Sequence, residues 1–156
     1  MNNEAPIIFT EKRKPEPKHS KKLEWFLRNF ITSTNGFYYD DNLSKGIISQ
    51  YFKLNNGICI EQNVKIQKED YLCYTNLSYH INPDDKKVFL QTLQIINKIN
   101  TQIDYGSFEI DEKTGDIRYR TYYKPDSVVD FESLDKMLGY PMYVINRYGH
   151  LFIEKV

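Results

Sequence analysis

From Lys21 to Thr34, apolar side chains recur every three or four residues: Leu23, Phe26, Leu27, Phe30 and Ile31. That spacing predicts a helix with one buried stripe. Ser20 suits its N-cap and Asn35-Gly36 its left-handed stop. The period then drops to two. "NNG" at 55–57 reads as a three-residue hairpin loop with Gly57 in the left-handed position. Centring on it pairs Leu54 with Ile58, Phe52 with Ile60 and Ile48 with Val64. A second turn at Gln67–Asp70 pairs Ile66 with Tyr71, Val64 with Cys73, Ile60 with Leu77 and Ile58 with Tyr79. Both registers set apolar residues opposite apolar residues on one face, and a slip of one residue turns the whole set toward solvent. The pattern therefore predicts a meander of strands near 45–54, 58–67 and 71–81.

"NPDD" at 82–85 predicts a helix start, with Asn82 as N-cap, Pro83 at the first helical position and the two acids in the first turn. Phe89, Leu93 and Ile96, flanked by Val88, Ile95 and Ile99, carry that helix to about Asn100. A hairpin follows. The loop Glu112–Gly115 pairs Ile110 with Ile117, Phe108 with Tyr119 and Gly106 with Thr121. Its other face then sets Glu109 across from Arg118, Ser107 across from Arg120, and Tyr105 across from Tyr122. The Glu109–Arg118 pair is an ordinary sheet device worth ~0–1 kcal/mol. Arg120 has no acid opposite. A last helix starts after its N-cap Asp130, with Leu134, Leu138, Pro141, Ile145, Tyr148 and Phe152 in helical phase. Pro141 lacks an N–H and its ring crowds the carbonyl four residues back, which predicts a kink or broken turn at 139–141.

Together these elements give an α/β (α+β) class. They form a two-layer arrangement, a bent antiparallel five-stranded sheet with helices packed on it, in the order α-β-β-β-α-β-β-α. Within that register Gln50, Gln62 and Thr75 make a polar row across the apolar face. Two readings of the row stand. It lies at the margin of the helix layer, wetted or mutually hydrogen-bonded, or it forms the polar strip of a groove. Cys73 falls on the apolar face and Cys59 on the other, so their side chains diverge and two reduced thiols are expected.

Composition adds little beyond the pattern. Aromatic residues are 15% of the 156, with 13 tyrosines, a side chain suited to half-buried strand faces and interfaces. The formal net charge of zero argues against nucleic-acid binding as the main task. No apolar run approaches the ~18 residues needed to cross a membrane, and Ile7–Phe9 is too short for a signal-peptide core. A cytoplasmic protein is expected. Residues 1–19 mix proline with dense charge and read as a flexible tail, and residues 20–156 as one domain. The tail is either simply solvated or a basic arm for an acidic partner. The three histidines, His19, His80 and His150, lack metal-ligand spacing. No phosphate loop or nucleophile motif occurs. "DEKTGD" lacks the oxygen pattern of a calcium loop and reads as a turn. No cofactor, metal site or catalytic residue is expected.

Residues 82–152 resemble the YbjN domain family, described as proposed bacterial sensory transduction regulators. The resemblance rests on "IINKIN" (95–100), "YGSFEIDEKTGDIRYRT" (105–121) and "MLGYPMYVINRY" (137–148). In that family an asparagine at a helix end precedes a glycine-phenylalanine strand, a "D…tG" turn and an arginine-bearing strand. Here Asn97 or Asn100, Gly106, Phe108, Asp111, Gly115 and Arg118 or Arg120 hold those places. The first half of the chain matches in element order only. The resemblance implies a fold like that of type III secretion chaperones, and with it a non-catalytic module that binds protein segments.

Three functions follow. The first is a protein-binding or regulatory module with Tyr105, Arg120 and Tyr122 as candidate partner contacts, since tyrosine and arginine dominate interface hot spots. The alternative is a small-ligand sensor with a pocket between the sheet and the C-terminal helix, floored by Gln50, Gln62 and Thr75. An enzyme ranks last. A homodimer is compatible with all three.

Overall fold

The computed structural model describes residues 19–33, the backbone of 38–42, and residues 45–153. The elements are α1 (Lys21–Ser33), β1 (Tyr38–Asn42), β2 (Ile47–Lys53), β3 (Cys59–Ile66), β4 (Tyr71–His80), α2 (Lys86–Asn100), β5 (Ser107–Ile110), β6 (Asp116–Tyr123), α3 (Phe131–Tyr148) and α4 (His150–Ile153). The strands form one antiparallel sheet in the order β1-β2-β3-β4-β6-β5. The five expected strands are all present, and β1 adds a sixth at the β2 edge. The Asn35-Gly36 stop lies outside the described residues, as do residues 1–18.

The registers follow from side-chain alternation and turn chemistry. Ile48 faces Val64 and Phe52 faces Ile60. Ile60 faces Leu77, Val64 faces Cys73 and Ile66 faces Tyr71. Phe108 faces Tyr119 and Ile110 faces Ile117. The turns are closed by hydrogen bonds from the Gly57 N–H to the Leu54 carbonyl (2.9 Å) and from the Gln67 N–H to the Asp70 carbonyl (2.9 Å). In the last hairpin, the Asp111 carboxylate accepts from the N–H groups of Lys113 (2.8 Å) and Thr114 (3.2 Å). Those two bonds hold its carboxyl below its ordinary value. Both cysteines are free, Cys73 buried and Cys59 exposed.

All described helices lie on one face of the sheet and bury two apolar clusters. One joins Leu23, Leu27, Phe30 and Ile31 of α1 to Ile48, Val64, Ile66, Tyr71 and Cys73, closed by Leu134 and Met137. The other joins Ile96 and Ile99 of α2 to Ile60, Leu77, Phe108, Ile117 and Tyr119, closed by Val144, Ile145 and Phe152. Helix α3 spans both.

Four expectations change. The N-cap of α2 is Asp85, whose carboxylate accepts from the Val88 N–H at 3.2 Å. Asn82 instead accepts from the Asp84 N–H (3.0 Å), so "NPDD" forms a turn before the helix. Its buried stripe centres on Thr92, Ile96 and Ile99 rather than Phe89 and Leu93. His19, placed on the tail by its neighbours, is 5% exposed and sits beside Glu24 and Gly46. Helix α3 runs through 139–141 without a break and ends at Gly149, with a separate short turn, α4, beyond it.

The β5 edge is closed by one side chain. The Asn100 amide donates to the Phe108 carbonyl (3.0 Å) and accepts from the Phe108 N–H (2.9 Å). It thus occupies the outward-facing backbone pair that an added strand would use. Replacing Asn100 with leucine is expected to cost about 1–2 kcal/mol, because two backbone groups lose their partner. Urea unfolding measures that loss. Unchanged stability would mean that water serves the edge equally well.

Candidate functional site

The sheet has a face without helices, and β6 is where the sequence placed the candidate contacts. Alternation sends Ile117, Tyr119 and Thr121 into the core and Arg118, Arg120 and Tyr122 to the open side. Arg118 is paired, with its Nε 2.6 Å from the Glu109 carboxylate and its guanidinium 4.4 Å from the Tyr74 ring centroid. Arg120 lies between Ser107 on β5 and Tyr74 on β4, exposed and without an ion pair among the described residues. Tyr122 is 48% exposed and lies beside Leu72. Its hydroxyl donates to the Asp70 carboxylate at 3.0 Å, and that bond raises its pKa. Tyr51, also 47% exposed, extends the same face on β2.

Tyr105 is not part of this surface. Gly106 has φ +76° and stands against the Arg120 carbonyl, so β5 begins at Ser107 and the residue before it leaves the ladder. The Tyr105 ring turns toward α3, 5.8 Å from Tyr140 and 4.8 Å from the Lys136 ammonium. Its hydroxyl donates to the Tyr122 carbonyl at 2.8 Å, and burial pushes the phenol up to about 12. Its own carbonyl accepts from the Tyr119 hydroxyl. The pairing of Tyr105 with Tyr122 is thus real as a hydrogen bond, but the two rings face different sides.

The polar row Gln50, Gln62 and Thr75 lies in the middle of the helix-covered face, at the seam between the two apolar clusters, not at its margin. Gln62 and Thr75 are fully buried and Gln50 is nearly so. The Gln62 amide donates to the Thr75 hydroxyl (3.1 Å) and to the Leu138 carbonyl of α3 (2.9 Å), and the Gln50 amide lies 3.5 Å from its oxygen. Thr121, in the next strand, donates to the Met137 carbonyl at 2.9 Å. That carbonyl is the one Pro141 leaves without its helical partner, being four residues upstream. The Thr121 hydroxyl therefore takes over the hydrogen bond that the proline removes. This accounts for the buried Thr121 hydroxyl, while the polar row satisfies itself and adds a second bond to the Leu138 carbonyl, whose helical donor is the Met142 N–H. Thr121 is the member of the set that pattern reading missed. Its signal was the proline: a helix carrying one needs a donor from whatever it packs on.

Little else has the makings of chemistry. Burial pushes the Cys73 thiol up to about 12, far from a thiolate at neutral pH. Among the described residues no group of three His, Cys, Asp or Glu side chains stands close enough to hold a metal ion. No described helix is long and apolar enough to cross a membrane.

The fold is a small α+β arrangement in which the described helices cover one face of the sheet and no described helix covers the other. Among solved structures the chain is similar to YbjN from E. coli, a proposed transcription regulator, with a TM-score of 0.59 and 9% sequence identity over 81% of this chain and 91% of that one. The resemblance seen in residues 82–152 holds at the level of the fold. No family model matches the chain, and no curated protein does. Of Asn97 and Asn100, it is Asn100 whose side chain bonds the Phe108 backbone at the β5 edge.

Proposed function

We propose that this chain is a non-catalytic protein-binding module and that its partner docks on the open face of the sheet, around Arg120 and Tyr122. The observation carrying this reading is an exposed arginine and tyrosine on alternate positions of β6, a strand paired on both sides, with Tyr74 and Leu72 beside them on β4. Aromatic and arginine side chains on a preformed surface are what interface hot spots use, since they add contact area with little loss of freedom. Charge favours a protein partner over nucleic acid. Arg118 is already matched by Glu109, and the whole chain is neutral. The similarity to a proposed transcription regulator supports a regulatory role at the level of fold. No cofactor is required by this reading.

The test is affinity capture with the intact chain and with Arg120→Glu/Tyr122→Ser. Both positions are exposed and the double variant gives up the Tyr122–Asp70 hydrogen bond, so it should unfold within about 1–2 kcal/mol of the parent. A protein retained by the parent and lost from the variant supports the proposal. Equal capture by both, retention of nucleic acid alone, or stoichiometric uptake of a metabolite without any protein would each overturn it.

A further inference from the structure

A cleft lies on the helical side of the sheet, away from the open face. It runs between the end of α2 and the short α4, holds about 170 Å³ and is lined by Ile95, Lys98, Ile99, Gln102, Tyr148 and Leu151. Ile95, Lys98 and Ile99 recur at spacings of three and four, so one side of α2 forms a wall. Ile99 is buried, Ile95, Tyr148 and Leu151 are half-buried, and Lys98 and Gln102 are exposed. The floor is therefore apolar and the rim polar. The Tyr148 hydroxyl donates to the Gln102 side-chain oxygen at 3.4 Å, tying the end of α3 to the turn after α2. Among the described residues Lys98 is the only charged group of this lining, and its ammonium makes no ion pair with any of them. The last carbonyls of α2 present no bare oxygens to an anion. Those of Asn97 and Ile99 accept from the N–H groups of Thr101 (3.3 Å) and Gln102 (2.9 Å), and that of Lys98 from the Thr101 hydroxyl (2.7 Å).

We propose that this cleft binds a small carboxylate with a compact apolar body, of about the size of benzoate. Volume sets the body. A cavity of roughly 150 Å³ walled by leucine, isoleucine and phenylalanine takes up benzene, and Ile95, Ile99, Leu151 and the Tyr148 ring are walls of that kind. Charge sets the head. The Lys98 ammonium and the Gln102 amide are donors at the rim, and a carboxylate accepts from both. Positive charge continues past the rim, since the Arg147 guanidinium lies 5.4 Å from the Tyr148 ring centroid. A cationic guest would meet like charge there, and a neutral one would leave the lysine unused. The inference does not depend on the partner proposed for the open face, because the two surfaces lie on opposite sides of the sheet.

Benzoate is the probe, titrated into the isotope-labelled full-length protein and followed by heteronuclear NMR. Benzyl alcohol and benzylamine, a cation at neutral pH, are the controls of equal size. Expected are saturable shifts confined to the backbone around Ile95–Gln102 and Tyr148–Leu151, with a dissociation constant on the order of 1 mM. Both controls should bind about fivefold more weakly or worse. Lys98→Gln should weaken benzoate about fivefold and leave benzyl alcohol unchanged, and Lys98→Glu should reverse the order of benzoate and benzylamine. Lys98 is exposed, so both variants should keep the parent's thermal unfolding. Equal affinity for benzoate and benzyl alcohol, or a benzoate affinity indifferent to Lys98→Gln, would overturn the proposal. Unsaturable shifts spread over surface lysines would do the same, as nonspecific ion binding. No saturable shift with any of the three compounds would leave the cleft to a side chain of another protein and overturn it as well.

Discussion

Alanine at Gly115 is expected to destabilise the fold by about 3 kcal/mol or more, a large effect for adding one methyl group in a surface hairpin. Two causes combine. Gly115 has φ +75°, a conformation that costs an L-residue roughly 1–2 kcal/mol. Its Cβ would also collide with the Ile81 carbonyl. That carbonyl cannot retreat, because the Ile81 N–H donates to the Gly115 carbonyl at 3.0 Å and the Ile81 side chain is buried. Gly57 supplies the control. It has φ +87° but nothing within 4 Å of its would-be Cβ. Gly57→Ala should therefore show only the backbone cost, about 1 kcal/mol. Urea unfolding of both variants separates strain from collision. Equal losses at the two sites would refute the close packing of this turn on the end of β4.

A more hydrophobic core should likewise be a weaker one at position 62. Gln62→Leu is expected to cost about 2 kcal/mol, since it removes a hydrogen-bond partner from both Thr75 and Gln50, and the second bond to the Leu138 carbonyl, in a site closed to water. The argument about Pro141 can be tested more sharply through Thr121. Thr121→Val keeps shape and removes the donor to Met137, at an expected cost of about 1–3 kcal/mol. In a Pro141→Ala background the restored N–H at 141 can serve that carbonyl, and the same Thr121→Val change should cost clearly less. A double-mutant cycle measures the difference. Identical costs in the two backgrounds would show that the sheet hydroxyl does not substitute for the missing helical bond.

The polar row shows why part of the molecule was hidden in the sequence. Gln50, Gln62 and Thr75 could be placed in line from register alone, because side-chain direction in a strand alternates with every residue. What stands above the line is set by where α3 crosses the sheet, with Gln62 and Leu138 separated by 76 positions of chain. No local signal links Gln62 to Leu138 or Thr121 to Met137. Pro141 marked a disturbance in α3 but not its remedy. Tyr105 failed for a related reason. Its place opposite Tyr122 assumed that the ladder continued past Gly106, whereas that residue's positive φ turned the chain toward α3. Strand β1 was missed because "YYDDN" has no apolar alternation. It forms because β2 offers a free edge to pair with.

Local rules were sufficient for the rest. Turn chemistry at Gly57, at Gln67–Asp70 and at Asp111–Gly115, together with period-two alternation, determined three hairpin registers and the sides on which Cys59, Cys73, Arg118 and Arg120 lie. Those rules act between residues a few positions apart or directly opposite, so a single sequence contains them. Tertiary structure alone decided which surfaces remain open, that Asn100 seals an edge, that His19 is buried and that α3 keeps its proline. Each of these depends on atoms brought together from distant parts of the chain, where the stabilising contact exists only once the layers have packed.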